Sequence, residues 1–160
     1  MGDWILRPPA PGDFGWIVER HAVLYAREFG FNEKFEALVA HVAGDFLSCH
    51  DAQRERCWIA ERNGDRIGSV VLVRKTDGIG KLRLLLVEPS ARGLGLGKAL
   101  VADCIAFARQ AGYCRVTLWT QDILLAARGI YRAAGFVRVS SEPYSECGPE
   151  MRSEEWELTL

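Results

Sequence analysis

The chemically most suggestive residues form the stretch ARGLGLGKAL, residues 91–100, where an apolar strand pattern stops and a helical pattern begins. It contains three glycines separated by single leucines, although a glycine inside a helix costs about 1 kcal/mol relative to alanine. The first N–H groups of a helix have no intrahelical partner, and the helix dipole places partial positive charge there. Without Cβ atoms in the way, a phosphate can approach these groups closely. The stretch is therefore a candidate anion site.

Spacing excludes two familiar phosphate-binding loops. A Walker A loop has glycine five residues before its final Gly-Lys and Ser or Thr after the lysine, but these positions hold Arg92 and Ala99. The dinucleotide fingerprint needs G-x-G-x-x-G after the first strand, whereas the glycines here alternate as G-x-G-x-G after a third internal strand. What remains is R-x-x-G-x-G over residues 92–97. Glycines that only permit close packing of helix and sheet are the structural alternative.

Composition limits the class of protein. The chain has 160 residues, 49% hydrophobic and 26% charged, which is typical of one soluble domain, and we expect a single domain over residues 1–160. A net charge of −1 argues against a nucleic-acid surface, and no apolar run approaches the ~20 residues that cross a membrane. The five cysteines form no CxxC pair, which indicates reduced thiols in the cytoplasm and no metal site.

Hydrophobic periodicity predicts one mixed sheet with helices on its faces, in the order β-α-α-β-β-β-α-β-α-β-β. Asn63-Gly64 between two apolar runs is a strong hairpin signal. The predicted strands are residues 4–7, 57–61, 67–75, 82–87, 115–120, 137–140 and 155–160. The predicted helices follow Asp13, follow Asn32, follow the glycine stretch, and cover residues 125–134.

The glycine stretch is followed downstream by A-x-x-x-Y-x-x-x-G-F, read here as Ala127, Tyr131, Gly135 and Phe136. With this pair of motifs the chain resembles the GNAT superfamily of acyl-CoA-dependent N-acetyltransferases along essentially its whole length. It also resembles the acetyltransferase part of bacterial chains that fuse this fold to a winged-helix regulator. The resemblance implies an α/β (α+β) fold, with a mostly antiparallel central sheet of about seven strands flanked by four helices.

The resemblance also implies acetyl-CoA as acyl donor. The loop N–H groups would hold its pyrophosphate, and the pantetheine arm would lie beside the strand before the loop, with a backbone N–H near Leu86 or Val87 facing the thioester oxygen. The family often has an asparagine seven residues before the tyrosine, where this chain has Leu124; Gln121 or Asp122 could take over its contact. The implied coenzyme residues are Leu85, Leu86, Val87, Arg92, Gly93, Leu94, Gly95, Leu96, Gly97, Lys98 and Ala127.

For the reaction, the resemblance implies direct attack of an amine on the thioester, and it assigns Tyr131 to the leaving sulfur. Because a tyrosine is a weaker acid than a thiol, we expect Tyr131 to donate a hydrogen bond rather than a full proton. Glu88 is the nearest candidate for a general base, with a solvated charge at the strand end as the alternative. His21, on the apolar face of the first helix, is more typical of a satisfied core histidine. Arg128 could meet a phosphate or form a salt bridge.

The acceptor is the least defined component. The junction of the first two helices is aromatic and acidic, which would suit a cationic amine, and the candidate residues are Tyr25, Glu28, Phe29 and Phe31. We expect an N-acetyltransferase that acts on a primary amine of a small molecule or peptide, and a homodimer is compatible with the resemblance. The alternative is a catalytically weak acyl-CoA-binding sensor module of the same fold.

Overall fold

The computed structural model describes residues 3–160, which form seven strands, four α-helices and one 3₁₀ turn. The strands are β1 (Ile5–Arg7), β2 (Arg56–Arg62), β3 (Asp65–Arg74), β4 (Ile79–Val87), β5 (Arg115–Gln121), β6 (Val137–Tyr144) and β7 (Met151–Thr159). The helices are α1 (Asp13–Phe29), α2 (Glu33–Cys49), α3 (Leu96–Gln110) and α4 (Leu125–Ala133), with the 3₁₀ turn at Pro89–Ala91.

All seven strands belong to one sheet in the order β1-β2-β3-β4-β5-β7-β6. Neighbouring strands are antiparallel except β4 and β5, which are parallel. The predicted fold class and element order are confirmed. The β2–β3 hairpin also turns at Asn63 and Gly64, both at positive φ (53° and 84°), as an Asn-Gly turn requires.

The parallel pair β4–β5 separates part of the way along its length. It is paired from Ile79 and Arg115 to Leu82 and Leu118, yet β4 continues to Val87 and β5 to Gln121. In this region β4 has one residue more than β3, and Leu84 has a φ of 53°. The register shift and the left-handed residue mark a β-bulge. Within residues 3–160, the β5-facing edge of β4 has no strand partner beyond Leu82.

Hydrophobic residues form a core on each face of the sheet. The core under α3 and α4 includes Leu82, Leu100 and Tyr131, and the core under α1 and α2 includes Ile17, Phe35 and Val71. Of the helices within residues 3–160, none combines the length and apolarity that a membrane crossing needs.

The last two strands are longer than predicted, and β7 includes a buried charged residue. β7 begins at Met151 instead of residue 155, and β6 continues to Tyr144 instead of ending at residue 140. Glu154 is only 1% exposed and accepts hydrogen bonds from Arg128 at 3.0 and 3.2 Å and from Arg138 at 3.1 Å. These hydrogen bonds offset the cost of burying a carboxylate in the sheet. From the sequence alone, a charged residue at this position indicates a loop.

Candidate active site

The loop between the 3₁₀ turn and α3 displays bare backbone. Gly93 and Gly95 have φ of 78° and 86°, and a Cβ on either would meet no atom within 4 Å. Within residues 3–160, the backbone N–H groups of residues 93–98 donate no hydrogen bond; the next one, that of Ala99, binds the Gly95 carbonyl at 3.1 Å. Six successive N–H groups at the positive end of α3 are thus available to an anion.

Gly97 has a different reason to be glycine. It lies in the first turn of α3, and a Cβ there would come within 2.6 Å of the Ile130 side chain of α4 and 3.6 Å of Val87. The packing explanation therefore holds for this glycine, while Gly93 and Gly95 fit the anion-loop explanation. Gly97 brings α4 against the start of the loop.

A cavity of about 470 Å³ opens between this loop, the end of β4, α4 and α1. It brings together every predicted coenzyme residue except Leu94, whose side chain is exposed, along with three of the four predicted acceptor residues. The predicted residues in its wall are Leu85, Leu86, Val87, Arg92, Gly93, Gly95, Leu96, Gly97, Lys98, Ala127, Tyr25, Glu28 and Phe29. The wall also contains four residues that the sequence did not single out for a site: Ala91, Leu124, Ala126 and Ile130.

The Arg92 guanidinium binds the Glu28 carboxylate in a bidentate ion pair, with N–O distances of 2.5 and 2.7 Å. This pair ties the end of α1 to the glycine loop at the rim of the cavity. The Arg92 hydrogen bond holds the pKa of Glu28 below its ordinary value. Glu28 is thus largely neutralised by Arg92, which leaves Lys98 as the cation of the loop that forms no ion pair within residues 3–160.

Tyr131 is buried in α4, where its ring packs edge-on against Phe136 at 5.9 Å. The preceding residue, Ile130, is in the cavity wall, whereas Tyr131 itself is not. Burial raises the pKa of its hydroxyl far above the ordinary value, and Tyr25 in the cavity wall is close enough to add to this rise. The hydroxyl therefore keeps its proton at physiological pH and can donate a hydrogen bond.

Glu88 faces a second cleft. Both of its carboxylate oxygens bind Arg20 of α1, at 2.5 and 3.0 Å, and the cleft around it is lined by α1 and the β2–β3 hairpin. Glu88 is not in the wall of the 470 Å³ cavity, although its charge is close enough to help raise the pKa of Arg92 in the glycine loop. Its role as general base stays a prediction that the cavity geometry does not support.

The α1–α2 junction is an aromatic cluster. Tyr25 stacks on Phe35 at 4.7 Å and meets Phe29 and Phe31 edge-on at 5.5 Å. Phe31 is buried behind the cavity wall rather than in it. His21 stacks on Tyr25, and its Nδ1 lies 2.8 Å from the Ile17 carbonyl. It is therefore the satisfied core histidine that its position predicts.

The position usually held by asparagine in the resemblance is apolar here. Leu124 lines the cavity, whereas Gln121 and Asp122 do not. The Asp122 carboxylate instead accepts the backbone N–H of Arg152 at 2.9 Å. For Arg128 the sequence left two alternatives, a phosphate contact or a salt bridge. The structure shows a salt bridge, which Arg128 forms with Glu154.

Comparisons with known proteins agree with this fold. The family model described as "Acetyltransferase (GNAT) family" matches residues 23–136. An uncharacterized N-acetyltransferase of Schizosaccharomyces pombe is 30% identical over 134 residues, covering 82% of this chain and 78% of that protein. N-acetyltransferase 8B of Homo sapiens is 38% identical over 84 residues, covering 49% of this chain and only 37% of that protein. A Salmonella typhimurium structure with its cofactor acetyl-CoA has a TM-score of 0.75 at 20% identity, covering 99% of this chain and 95% of that chain.

The chain belongs to the GNAT acetyltransferase family. It is an acyl-CoA-dependent acetyltransferase, and acetyl transfer to amines is the chemistry of this class. The glycine motif and the tyrosine motif, which carry the resemblance, both fall within residues 23–136.

Proposed function

We propose that the protein transfers the acetyl group of acetyl-CoA directly to a primary amine of a small molecule or peptide, within a ternary complex. The observation that carries this proposal is the run of six free N–H groups, residues 93–98, at the edge of the 470 Å³ cavity. Their number and arrangement suit a diphosphate, which offers several acceptor oxygens. Lys98 adds a positive charge beside them.

The separation of β4 from β5 supports a place for the pantetheine arm. Beyond Leu82 the free edge of β4 offers backbone donors and acceptors to an extended ligand, much as a sheet edge receives an added strand. An arm there would run from the loop past Val87 and Leu86 and carry the thioester into the gap between the strands. A backbone N–H of β4 near these residues would then stabilise the developing oxyanion.

In the reaction, the amine lone pair attacks the thioester carbonyl carbon and the C–S bond breaks. The leaving thiolate accepts a hydrogen bond from Tyr131, whose raised pKa keeps the donor proton in place. The amine nitrogen loses its excess proton to water, so an acceptor that arrives as the free base needs no carboxylate in the cavity. This sequence agrees with the engagement of Glu88 by Arg20.

Steady-state kinetics tests this function. Thiol release from acetyl-CoA is measured with a panel of primary amines, and both substrates are varied. We expect amine-dependent release with intersecting double-reciprocal lines, as a ternary complex requires. Parallel lines, with acetylated protein in the absence of amine, would contradict direct transfer. Acetyl-CoA binding without release by any amine would favour the sensor module instead.

Tyr131→Phe removes the hydroxyl and keeps the ring against Phe136. We expect kcat to fall about 30-fold, since a hydrogen bond to a charged group contributes about 2 kcal/mol, with the Kd for acetyl-CoA unchanged. Tyr113→Phe is the matched control, because the Tyr113 hydroxyl binds the Arg54 carbonyl away from the cavity. An unchanged kcat in Tyr131→Phe would remove this residue from the mechanism.

A further inference from the structure

Arg83 stands where the two central strands separate. It follows Leu82, the last β4 residue paired with β5, just as Trp119 follows Leu118 on the other strand. Successive strand residues point to opposite faces, and Leu82 belongs to the core under α3. Arg83 therefore projects on the face of α1 and α2, where Asp45 of α2 is close enough to affect its charge.

Arg83 differs from the other half-buried arginines. Within residues 3–160 there are six of these, and five have a carboxylate or carbonyl partner: Arg7, Arg20, Arg54, Arg62 and Arg128. The Arg83 guanidinium forms no ion pair or hydrogen bond with that part of the chain, although burial disfavours its charged form enough to lower its pKa. Within residues 3–160, the buried side-chain nitrogen that lacks a partner is Arg54 Nε. The unpaired Arg83 guanidinium is therefore accessible from solvent and available to an external anion.

A second cation lies beside it. Lys81 is two residues before Arg83 on the same face of β4, about 7 Å away. The carboxylates on this face are Asp45, Glu155 and Glu157. Glu157 is bound by Arg115 at 3.4 Å and Asp45 by His41 at 3.3 Å, while Glu155 acts on Lys81. Within residues 3–160, neither Arg83 nor Lys81 forms an ion pair with these carboxylates.

We propose that Arg83, supported by Lys81, binds an anionic group of the acceptor, so that the acceptor is an amine carrying a carboxylate or a phosphate. This inference rests on the proposed transfer to an amine. Leu85, which lines the coenzyme cavity, is two residues past Arg83, on the other side of the β-bulge at Leu84. A small molecule that spans these two positions would bring its amine to the thioester while its anionic group stays on the guanidinium. Trp119 would flank such a molecule at the point where β4 and β5 separate.

The test compares acceptors with and without an anionic group. Values of kcat/KM are measured for an amino acid against its amide, and for phosphoethanolamine against ethanolamine, with the parent and with Arg83→Gln. We expect the parent to prefer one anionic member, and Arg83→Gln to lower that preference at least tenfold. Because amine basicity is the same for both enzymes, a change in the ratio reports on Arg83. The pair that responds shows whether the anion is a carboxylate or a phosphate.

Lys75→Gln is the matched control, since it removes the same charge from an exposed residue that follows β3 and is farther from the point where β4 and β5 separate. It should change the preference less than twofold. Arg83→Lys keeps the charge but not the bidentate geometry and should fall between parent and Arg83→Gln. An unchanged Kd for acetyl-CoA in each variant shows that the coenzyme site is intact.

The outcomes separate this inference from the proposed function. Turnover of amines with no preference for anionic ones, or a preference that survives in Arg83→Gln, overturns the role of Arg83 while acetyl transfer stands. If no amine is turned over, the proposed function fails, and calorimetry then decides about Arg83. The parent protein loaded with coenzyme A should bind an N-acetylated amino acid but not its amide. This binding should disappear in Arg83→Gln, and binding that persists in the variant overturns the inference.

Discussion

The proposed coenzyme side of the site, meaning residues 85–98 with α4, offers many of its polar contacts from the backbone, whereas the proposed acceptor side, meaning α1, α2 and their face of β4 and β5, offers them from side chains. On the coenzyme side, six N–H groups and the unpaired edge of β4 are joined by the side chains of Arg92 and Lys98. On the acceptor side, the equivalents are an aromatic cluster, Arg83 and Lys81. Backbone contacts on the coenzyme side fit a ligand whose chemistry is constant. Side-chain contacts on the acceptor side can change with a single substitution.

This difference explains why the coenzyme side is easier to predict from the sequence than the acceptor side. Backbone recognition requires glycine at particular φ values, and Gly93 and Gly95 supply it in a short motif. Side-chain recognition needs only that a residue face the right way, which depends on the register of distant strands. The predictions below test whether the coenzyme side depends on backbone and the acceptor side on buried side chains.

Gly95→Val should have the largest effect. Valine at a φ of 86° strains the loop, and its side chain projects into open space at a residue whose own N–H belongs to the free run. We expect the Kd for acetyl-CoA to rise about 100-fold, from lost charge-assisted hydrogen bonds and from strain of about 1–3 kcal/mol. Isothermal titration calorimetry measures it.

Gly112→Val is the control for strain alone. Gly112 follows the other end of α3 with a φ of 87°, and a Cβ on it would likewise meet no atom within 4 Å. The two variants should therefore lose similar stability, while only Gly95→Val loses affinity. Equal Kd values in the two variants would mean that the loop does not hold the coenzyme.

The acceptor side should respond to acid through His21, which is buried and has its pKa lowered by burial from 6.5 to about 4. As the pH falls below 6.5, the unfolded chain takes up a proton at this residue and the folded chain does not. The free energy of unfolding therefore decreases as the pH falls, until the pKa of the folded state is reached. Between about pH 7.5 and 5 the loss is roughly 2 kcal/mol. Urea unfolding at each pH measures it.

His21→Phe keeps an aromatic ring against Tyr25 and cannot titrate. Its free energy of unfolding should change with pH by roughly 2 kcal/mol less over the same interval. Asp13, whose pKa is lowered from 3.8 chiefly by Arg7 against the effect of burial, titrates outside this interval in both proteins. If parent and variant show the same pH dependence, His21 is not the group that makes the α1–α2 layer sensitive to acid.

Much of the fold was predictable because local patterns agree with the tertiary structure. Asn63-Gly64 requires a tight hairpin, and the apolar run before the glycines requires a central strand. The start of β7 could not be predicted in this way, because Glu154 is tolerated in the sheet only through Arg128 and Arg138, which come from other elements. Local patterns carry no record of such partners.

The candidate site divides similarly. The glycine loop and Ala127 were predicted from motif and line the cavity, while Ile130 was missed, because its contact with Gly97 depends on how α4 packs on α3. Glu88 was chosen because it is close in sequence to the loop. Its side chain lies on the α1 side with Arg20, since adjacent residues at a strand end point to opposite faces.

Glu28→Gln should have the smallest effect, at the contact between the two sides. Arg92 is paired with Glu28, so a phosphate that uses Arg92 must compete with this carboxylate. Removing the charge should lower the Kd for acetyl-CoA about threefold, in keeping with a partly exposed pair contributing less than about 1 kcal/mol. Glu36→Gln, the same change at an exposed residue of α2 outside the cavity wall, should leave the Kd unchanged. The gain should also vanish when Arg92→Gln is already present, since the two residues act through one contact. A gain that persists in the Arg92→Gln background would show that Glu28 repels the coenzyme directly, and an unchanged Kd in Glu28→Gln alone would place Arg92 outside the phosphate site.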